Sequence, residues 1–481
     1  MQTNHIAPLQ REANVGAAAR YRMLWRWHFY AGLFVMPFLI VLAITGILYC
    51  FQPQIDHLLY RPLLDVASSS APRLSYQALL TRAVAAEPRD AIATTVSIES
   101  APTRSVEYRF KLSRGGNESV YLNPYTGAIL GRLSVENRFT EQVRMIHRGL
   151  LIGKLGEIVM ELAGCWTLVM LGTGIAMWWP VQRQPARFWP DKRQRGRAWW
   201  RDAHRVLGIW VVFGALAFVL SGLPWSSTWG QWFKQLVTTT GAGLPPDTYA
   251  AQTVQSLPPG APAPIAAARP AHHADAMPGM IMDDLPIKQV PWAVGALPLP
   301  ETSAELAPTI PIDRVVGLAA ERHVVSGYQI VLPRRPTDVY TVSYFAPDPR
   351  AERTLHIDQY SGRVLKDIGF HEYGFIGAAV AFGTDLHMGR VFGLANQLAC
   401  TAISLAILLL AASGAWLWIK RRPKGRLAAP ARPVNAPAMR AWCIGLGVLG
   451  IVFPMLGVTL LLAWLVDRWI AARQDRAAAL A

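Results

Sequence analysis

The sequence predicts an α-helical membrane bundle of about five spans, internally repeated, that carries two small α+β domains outside the bilayer. Three observations predict it. The 481 residues are 52% hydrophobic and include 18 Trp, yet two long connections are polar. Five stretches are apolar over the roughly 20 residues that a helix needs to cross the hydrocarbon core. The spans also repeat in pairs, and so do the polar connections.

In chain order, the expected parts begin with an N-terminal arm at 1–28, span one at 29–51, an outer domain at 52–146 and span two at 147–179. A basic loop at 180–205, span three at 206–226, a Pro- and Ala-rich insert at 227–305 and a second outer domain at 306–386 follow. Span four at 387–419, a second basic loop at 420–441, span five at 442–466 and a tail at 467–481 complete the chain. Span one has a basic flank but is followed by YCFQPQ rather than by a small-residue cleavage site, so it reads as a retained signal anchor.

The formal charge of +16 sits at particular places. Arg11, Arg20, Arg22 and Arg26 precede span one; residues 181–203 hold seven Lys or Arg against two Asp, and 420–440 hold seven and no acid. The long connections are nearly neutral or acidic. This is the positive-inside pattern: it places the N-terminus and both basic loops in the cytoplasm, both long inserts outside, and the tail after a fifth span outside. A membrane accounts for the charge, so no nucleic-acid partner is expected. Cys50, Cys165, Cys400 and Cys443 lie in or beside spans and form no disulfide framework, and the lack of Cys-x-x-Cys-His rules out covalently attached haem.

Spans one and three share a histidine (His28, His204), a glycine four residues on (Gly32, Gly208), and Thr45-Gly46 or Ser221-Gly222 at plus 17 and plus 18. Spans two and four share His147 or His387, glycines at plus 2 and plus 6, Thr173-Gly174 or Ser413-Gly414 at plus 26 and plus 27, and Trp178 or Trp418 at plus 31. The repeating unit is therefore span, outer domain, span. In the outer domains, VYLNPYTGAIL (120–130) matches LHIDQYSGRVL (355–365), a strand, a Tyr-Thr/Ser-Gly turn and a strand. Each is preceded by a helix (75–86; 312–322) and another β-rich run (104–112; 338–345).

Topology gives each histidine a depth. His28 and His204 open spans that start inside, and His147 and His387 open spans that start outside, so the four form an inner and an outer pair. Imidazoles from two neighbouring helices are the axial ligands of bundle-type haem sites. Gly32 and Gly208 share a helical face with their histidines and leave room for a porphyrin. Arg26, Arg201 and Arg205 inside, and Arg144, Arg148 and Arg390 outside, are placed to meet haem propionates. Interfacial histidines also snorkel or cap helices, and small residues also serve close helix packing. Four histidines split across a bilayer cannot meet at one zinc ion.

Further candidates are Glu157 and Glu161 within span two, which suggest a proton path. The run HHADAMPGMIM offers His272, His273, Met277, Met280 and Met282, soft ligands suited to copper, within a segment (241–304) whose composition suits an extended linker. His57, His323, His356 and His371 read as surface residues, His371 being the substitute ligand should His387 not serve.

The span motifs together with YLNPYTGAILG and HIDQYSGRVL resemble the PepSY-associated transmembrane helix proteins, an iron-regulated inner-membrane group that includes ferrisiderophore reductases. The resemblance covers residues from about 20 to 420 and implies a bacterial inner-membrane protein with two PepSY-type periplasmic domains and two non-covalent b-type haems. The ligand roles would fall on His28 and His204 for the inner haem and on His147 and His387 for the outer one. The activity implied is reduction of ferric siderophores, which releases Fe(II) in the periplasm. No dinucleotide or flavin motif is present, so a separate cytoplasmic or quinol donor must supply the electron. The insert and the fifth span depart from the family pattern, and two alternatives stay open: a copper acceptor on the same conduit, and a non-enzymatic scaffold whose PepSY domains bind a partner.

Overall fold

The computed structural model describes residues 6–179, 188–244, 282–299, 308–422 and 439–479. The helices in chain order are α1 (Ile6–Cys50), α2 (Gln52–Leu64), α3 (Tyr76–Ala86), α4 (Phe139–Gly149), α5 (Gly153–Trp178) and α6 (Gly196–Gly222). They continue with α7 (Trp229–Thr239), α8 (Ile312–Ala320), α9 (Phe375–His387), α10 (Gly393–Arg421), α11 (Arg440–Val452) and α12 (Pro454–Ala479). The chain divides into a helical unit, Met1–Ile47, Met145–Gln231 and Leu398–Ala481, and a sheet unit, Leu48–Arg144 and Trp232–Gln397.

Four helices of the helical unit are long and apolar enough to cross a membrane: Gly16–Cys50, Gly153–Trp178, Gly196–Trp225 and Gly393–Arg421. Side chains tie them pairwise. Phe34 of α1 meets Trp166 of α5, Trp200 of α6 meets Trp416 of α10, and Phe29 of α1 meets Trp418 of α10. With α5 packed along α6, the four close into a ring in which α1 and α6 stand on a diagonal.

Three expectations are corrected here. The arm at 1–28 is not separate from span one, because α1 runs unbroken from Ile6. His147 and His387 do not open spans two and four. His147 lies in the last turn of α4 and His387 is the last residue of α9, each a short helix ahead of the span. The glycines that follow make the break: Gly153, Gly389 and Gly393 take left-handed φ of 62°, 74° and 54°, which other residues adopt at a cost. A side chain on Gly156 would run into the backbone of Gly149, so the chain folds back tightly there.

The fifth span is the third correction. It breaks at Phe453–Pro454 into α11, too short to cross at 13 residues, and α12. Proline disfavours helical backbone in the residue before it, and Phe453 adopts φ −118°, ψ 86°. The two arms pack closely: a Cβ on Gly450 would sit 2.9 Å from Gly457 Cα. The tip is buried against Cys165, Val169 and Leu223, and Trp229 Nε1 donates to the Val452 carbonyl at 2.6 Å. Asp467 on α12 then pairs with Arg26 of α1 at 3.1 Å. The hairpin thus returns α12 to the end of the bundle where Arg26 lies, against the expected exit of the tail on the other side.

In the sheet unit, the two expected α+β domains form one sheet. Strands β1 (Ile92–Ile98), β2 (Val106–Lys111), β3 (Asn117–Leu122), β4 (Ile129–Ser134), β5 (Tyr328–Val331), β6 (Val339–Tyr344), β7 (Arg353–Asp358) and β8 (Val364–Gly369) run in the order β4-β3-β2-β1-β5-β6-β7-β8. All pairings are antiparallel, and β1 meets β5 from Thr95↔Val331 to Ile98↔Tyr328. Each repeat would leave an open edge at β1 or β5, and joining them removes both. One core follows, in which α3 and α8 cover Val96, Ile98, Tyr108, Phe110, Ile330, Val342 and Leu355. The repeat persists in the turns: Asn123 Oδ1 accepts from the Tyr125 and Thr126 amides, and Asp358 Oδ1 from the Tyr360 and Ser361 amides.

The insert is also more ordered than a linker where it is described. Leu244, Met282, Leu285, Val294 and Leu297 form a second core with Val331 and Ile368.

Candidate functional site

The site grows from the Thr-Gly and Ser-Gly pairs. His28 Nδ1 lies 3.1 Å from Thr173 Oγ1 and 3.1 Å from the Met170 carbonyl of α5. His204 Nδ1 lies 2.8 Å from Ser413 Oγ of α10, with the Leu410 backbone also in reach. His147 Nδ1 lies 2.8 Å from Thr45 Oγ1 of α1. The glycine after each hydroxyl makes room for the ring. A Cβ on Gly174 would lie 3.4 Å from His28 Cε1, one on Gly414 3.5 Å from His204 Cε1, and one on Gly46 3.7 Å from His147 Cε1.

These hydroxyls are themselves tied to their own helices. Thr45 Oγ1 donates to the Val41 carbonyl at 2.6 Å, Thr173 Oγ1 to Val169 at 2.8 Å, and Ser413 Oγ to Leu410 at 3.0 Å. The Met170 carbonyl can only accept, so the His28 proton sits on Nδ1 and the lone pair of the neutral ring on Nε2. At His204 and His147 a hydroxyl bonded to its own helix is free to accept, which favours the same form. That is the form in which histidine ligates a metal, with Nδ1–H held by a neighbour.

His28 and His204 lie near enough to each other to interact electrostatically. Among the described residues, no protein group hydrogen-bonds either Nε2. Gly32 and Gly208 do not serve close helix packing. A Cβ would meet nothing nearer than Met170 Sδ at 4.0 Å or Leu410 Cδ2 at 3.9 Å. His147 belongs to the helical unit and His387 to the sheet unit, where the carbonyl of His387 faces Cys50 Sγ at 3.9 Å.

The basic residues have protein partners. Arg205 pairs with Asp202 at 2.9 Å, Arg144 with Glu141, and Arg148 donates to the Trp225 carbonyl at 3.4 Å. Arg390 reaches Asp385 at 3.4 Å and donates to the Phe345 carbonyl at 2.8 Å. Each guanidinium has five N–H donors, so these contacts fix it without exhausting it.

The family described as the PepSY-associated TM region matches residues 25–421, which takes in α1 from Trp25 onward, the other three long helices, the whole sheet and the four histidines. The chain belongs to that family. No curated protein matches it.

Other candidates in this PepSY-associated membrane protein find different roles. Met282 is fully buried in the second apolar core, which gives its side chain a packing role; His272, His273, Met277 and Met280 lie outside the described residues. Glu161 is a cap. Its carboxylate accepts from the Thr228 and Trp229 amides at 2.9 and 3.1 Å, where α7 begins. Glu157 sits near the start of α5, 3.7 Å from Lys154. His57 is on the surface with Asp65, and His371 beside Glu372. His356, expected at the surface, is 2% exposed: its Nδ1 meets Thr341 Oγ1 at 3.0 Å, and burial pushes its pKa down to about 4.

The sequence reading missed Thr45, Thr173 and Ser413 as functional residues. Their signal was present as offsets in the repeat. What was lacking was the crossing: Thr173 of α5 meets the histidine of α1 and Ser413 of α10 that of α6, while Thr45 of α1 meets His147 of α4.

Proposed function

We propose that this protein is a transmembrane electron conduit that holds two b-type haems and reduces ferric siderophores in the periplasm, releasing Fe(II). One observation carries the reading: His28, His204 and His147 each turn Nδ1 to a hydroxyl of a neighbouring helix, and at His28 also to a carbonyl, an arrangement that favours a free Nε2. A residue that only snorkels or caps needs no such arrangement. The open flanks at Gly32 and Gly208 fit a flat ring beside His28 and His204. His147 would ligate the second haem, an assignment that rests on the repeat and on its Thr45 bond.

When bound, haem supplies one-electron chemistry, and the protein sets its position and potential. His28 and His204 would supply the nitrogen ligands, Thr173 and Ser413 would orient their rings, and the apolar helices would exclude water. Hard oxygen donors in siderophores favour Fe(III), so reduction loosens their grip. A cytoplasmic or quinol donor feeds the conduit, in a bacterial inner membrane with the N-terminus in the cytoplasm and the sheet in the periplasm. The burial of Met282 removes one support for copper as the acceptor. Purified protein should show the Soret and split α bands of low-spin b haem, and dithionite-reduced protein should be reoxidised anaerobically by ferric siderophores. No haem bands, or no reoxidation, overturns the proposal.

A further inference from the structure

The face of the sheet opposite the α3–α8 core is polar, and its first half is charged. Glu107 accepts from Ser119 at 2.7 Å, from Arg138 at 3.2 Å and from Lys288 of the insert at 3.3 Å. Arg138 also bonds the Tyr121 hydroxyl, and Arg109 donates to the Pro286 carbonyl at 3.0 Å. Burial would raise the pKa of Glu107, but Lys288, Arg138 and Arg109 hold it well below the usual carboxylate range. Three cations thus surround one carboxylate. Of the acids nearby, Glu141 is paired with Arg144, and Asp56 accepts from Thr140 at 2.7 Å. Counting Asp56, three cations face two anions and the cluster keeps a positive excess.

That excess is not required by the fold. The repeat puts Thr341, Ser343, Thr354 and His356 at the positions of Glu107, Arg109, Ser119 and Tyr121, in the same register, and builds the same face from neutral groups. Arg109 and Arg138 are only 6% and 8% exposed, yet the Nε of each has no partner among the described residues. A buried guanidinium N–H without a partner is costly, and a carboxylate matches it. The Lys288 side chain, 45% exposed, marks the way in.

We propose that Arg109, Arg138 and Lys288 form a carboxylate-binding site in the sheet unit. On the function proposed above, on which this choice of ligand rests, the ligand is an anionic ferric chelate bearing carboxylates. The test is titration of the full-length protein in nanodiscs with citrate, with gallium(III)–citrate and with a cationic gallium(III) trihydroxamate. Gallium(III) is not reduced, so binding is read without electron transfer. Missing haem would sink the conduit and leave this site standing, and missing binding would do the opposite. Gallium–citrate should bind saturably and the trihydroxamate should not. Arg109→Gln and Arg138→Gln should each weaken binding roughly tenfold or more. Glu107→Gln should tighten it, a direction that misfolding cannot mimic. Equal binding of free citrate would keep the site but overturn the chelate as its ligand. No saturable carboxylate binding, or wild-type affinity in both arginine variants, would overturn the site.

Discussion

Replacing Ser413 by Ala tests the tautomer argument at one atom. The change removes the 2.8 Å acceptor of His204 Nδ1 and leaves the Leu410 backbone as its remaining partner. One hydrogen bond is worth about 0.5–1.5 kcal/mol net, and the surviving partner favours the lower half of that range. A loss of about 0.7 kcal/mol is about a threefold weaker hold on haem. If the oxidised and reduced forms feel it unequally, the midpoint shifts by tens of millivolts at most. The assay is spectroelectrochemical titration of the inner haem, with haem retention through repeated dilution. Ser413→Thr keeps the hydroxyl and should restore wild-type behaviour. A variant that lost thermal stability but kept both potential and haem retention would show Ser413 to be structural only, and would refute the reasoning.

Other outcomes follow from the same geometry. Gly174→Ala should be tolerated, whereas Gly174→Val should displace the His28 ring and turn part of the inner haem high-spin, because the first added carbon already lies 3.4 Å from Cε1. In the sheet unit, burial and the nearby Asp385 push the pKa of Glu352 up to about 8 from 4.5, so the native state binds the proton more tightly than the unfolded chain. The stability from this group is full below about pH 4.5 and is lost as pH rises through about 8; Glu352→Gln should flatten that fall in thermal scans, and an unchanged slope would contradict it. Ile330→Ala, at the β1–β5 seam, should cost about 2–5 kcal/mol and lower both halves of the sheet in one transition, read by hydrogen exchange. Separate melting of the halves would contradict the single core. Reporter fusions at the two termini should report the same side of the membrane, and opposite sides would contradict the α11–α12 hairpin.

The apolar runs and the repeat spacing made the four long helices legible, since both follow directly from residue type and period. The breaks were harder. His-x-Gly-x-x-x-Gly looks like the start of a span, and only the left-handed glycines show a turn between two helices. Pro454 was a visible stop signal inside an apolar run long enough to hide it. The seam of the sheet was not legible, because β5 has only four residues and pairs with a strand more than 200 positions away. His356 alternates with Leu355 and Ile357, which correctly puts it on the other face. That this face is buried depends on tertiary cover that no local pattern encodes. The candidate histidines could be found from repetition; their hydroxyl partners needed the helix pairing.

Ligation of haem by His28 and His204 is decided by the haem content and reduced-minus-oxidised spectrum of the purified wild type beside His204→Ala. Two low-spin b haems per chain are expected in the wild type and one in the variant. Two haems in both, or none in either, would contradict it.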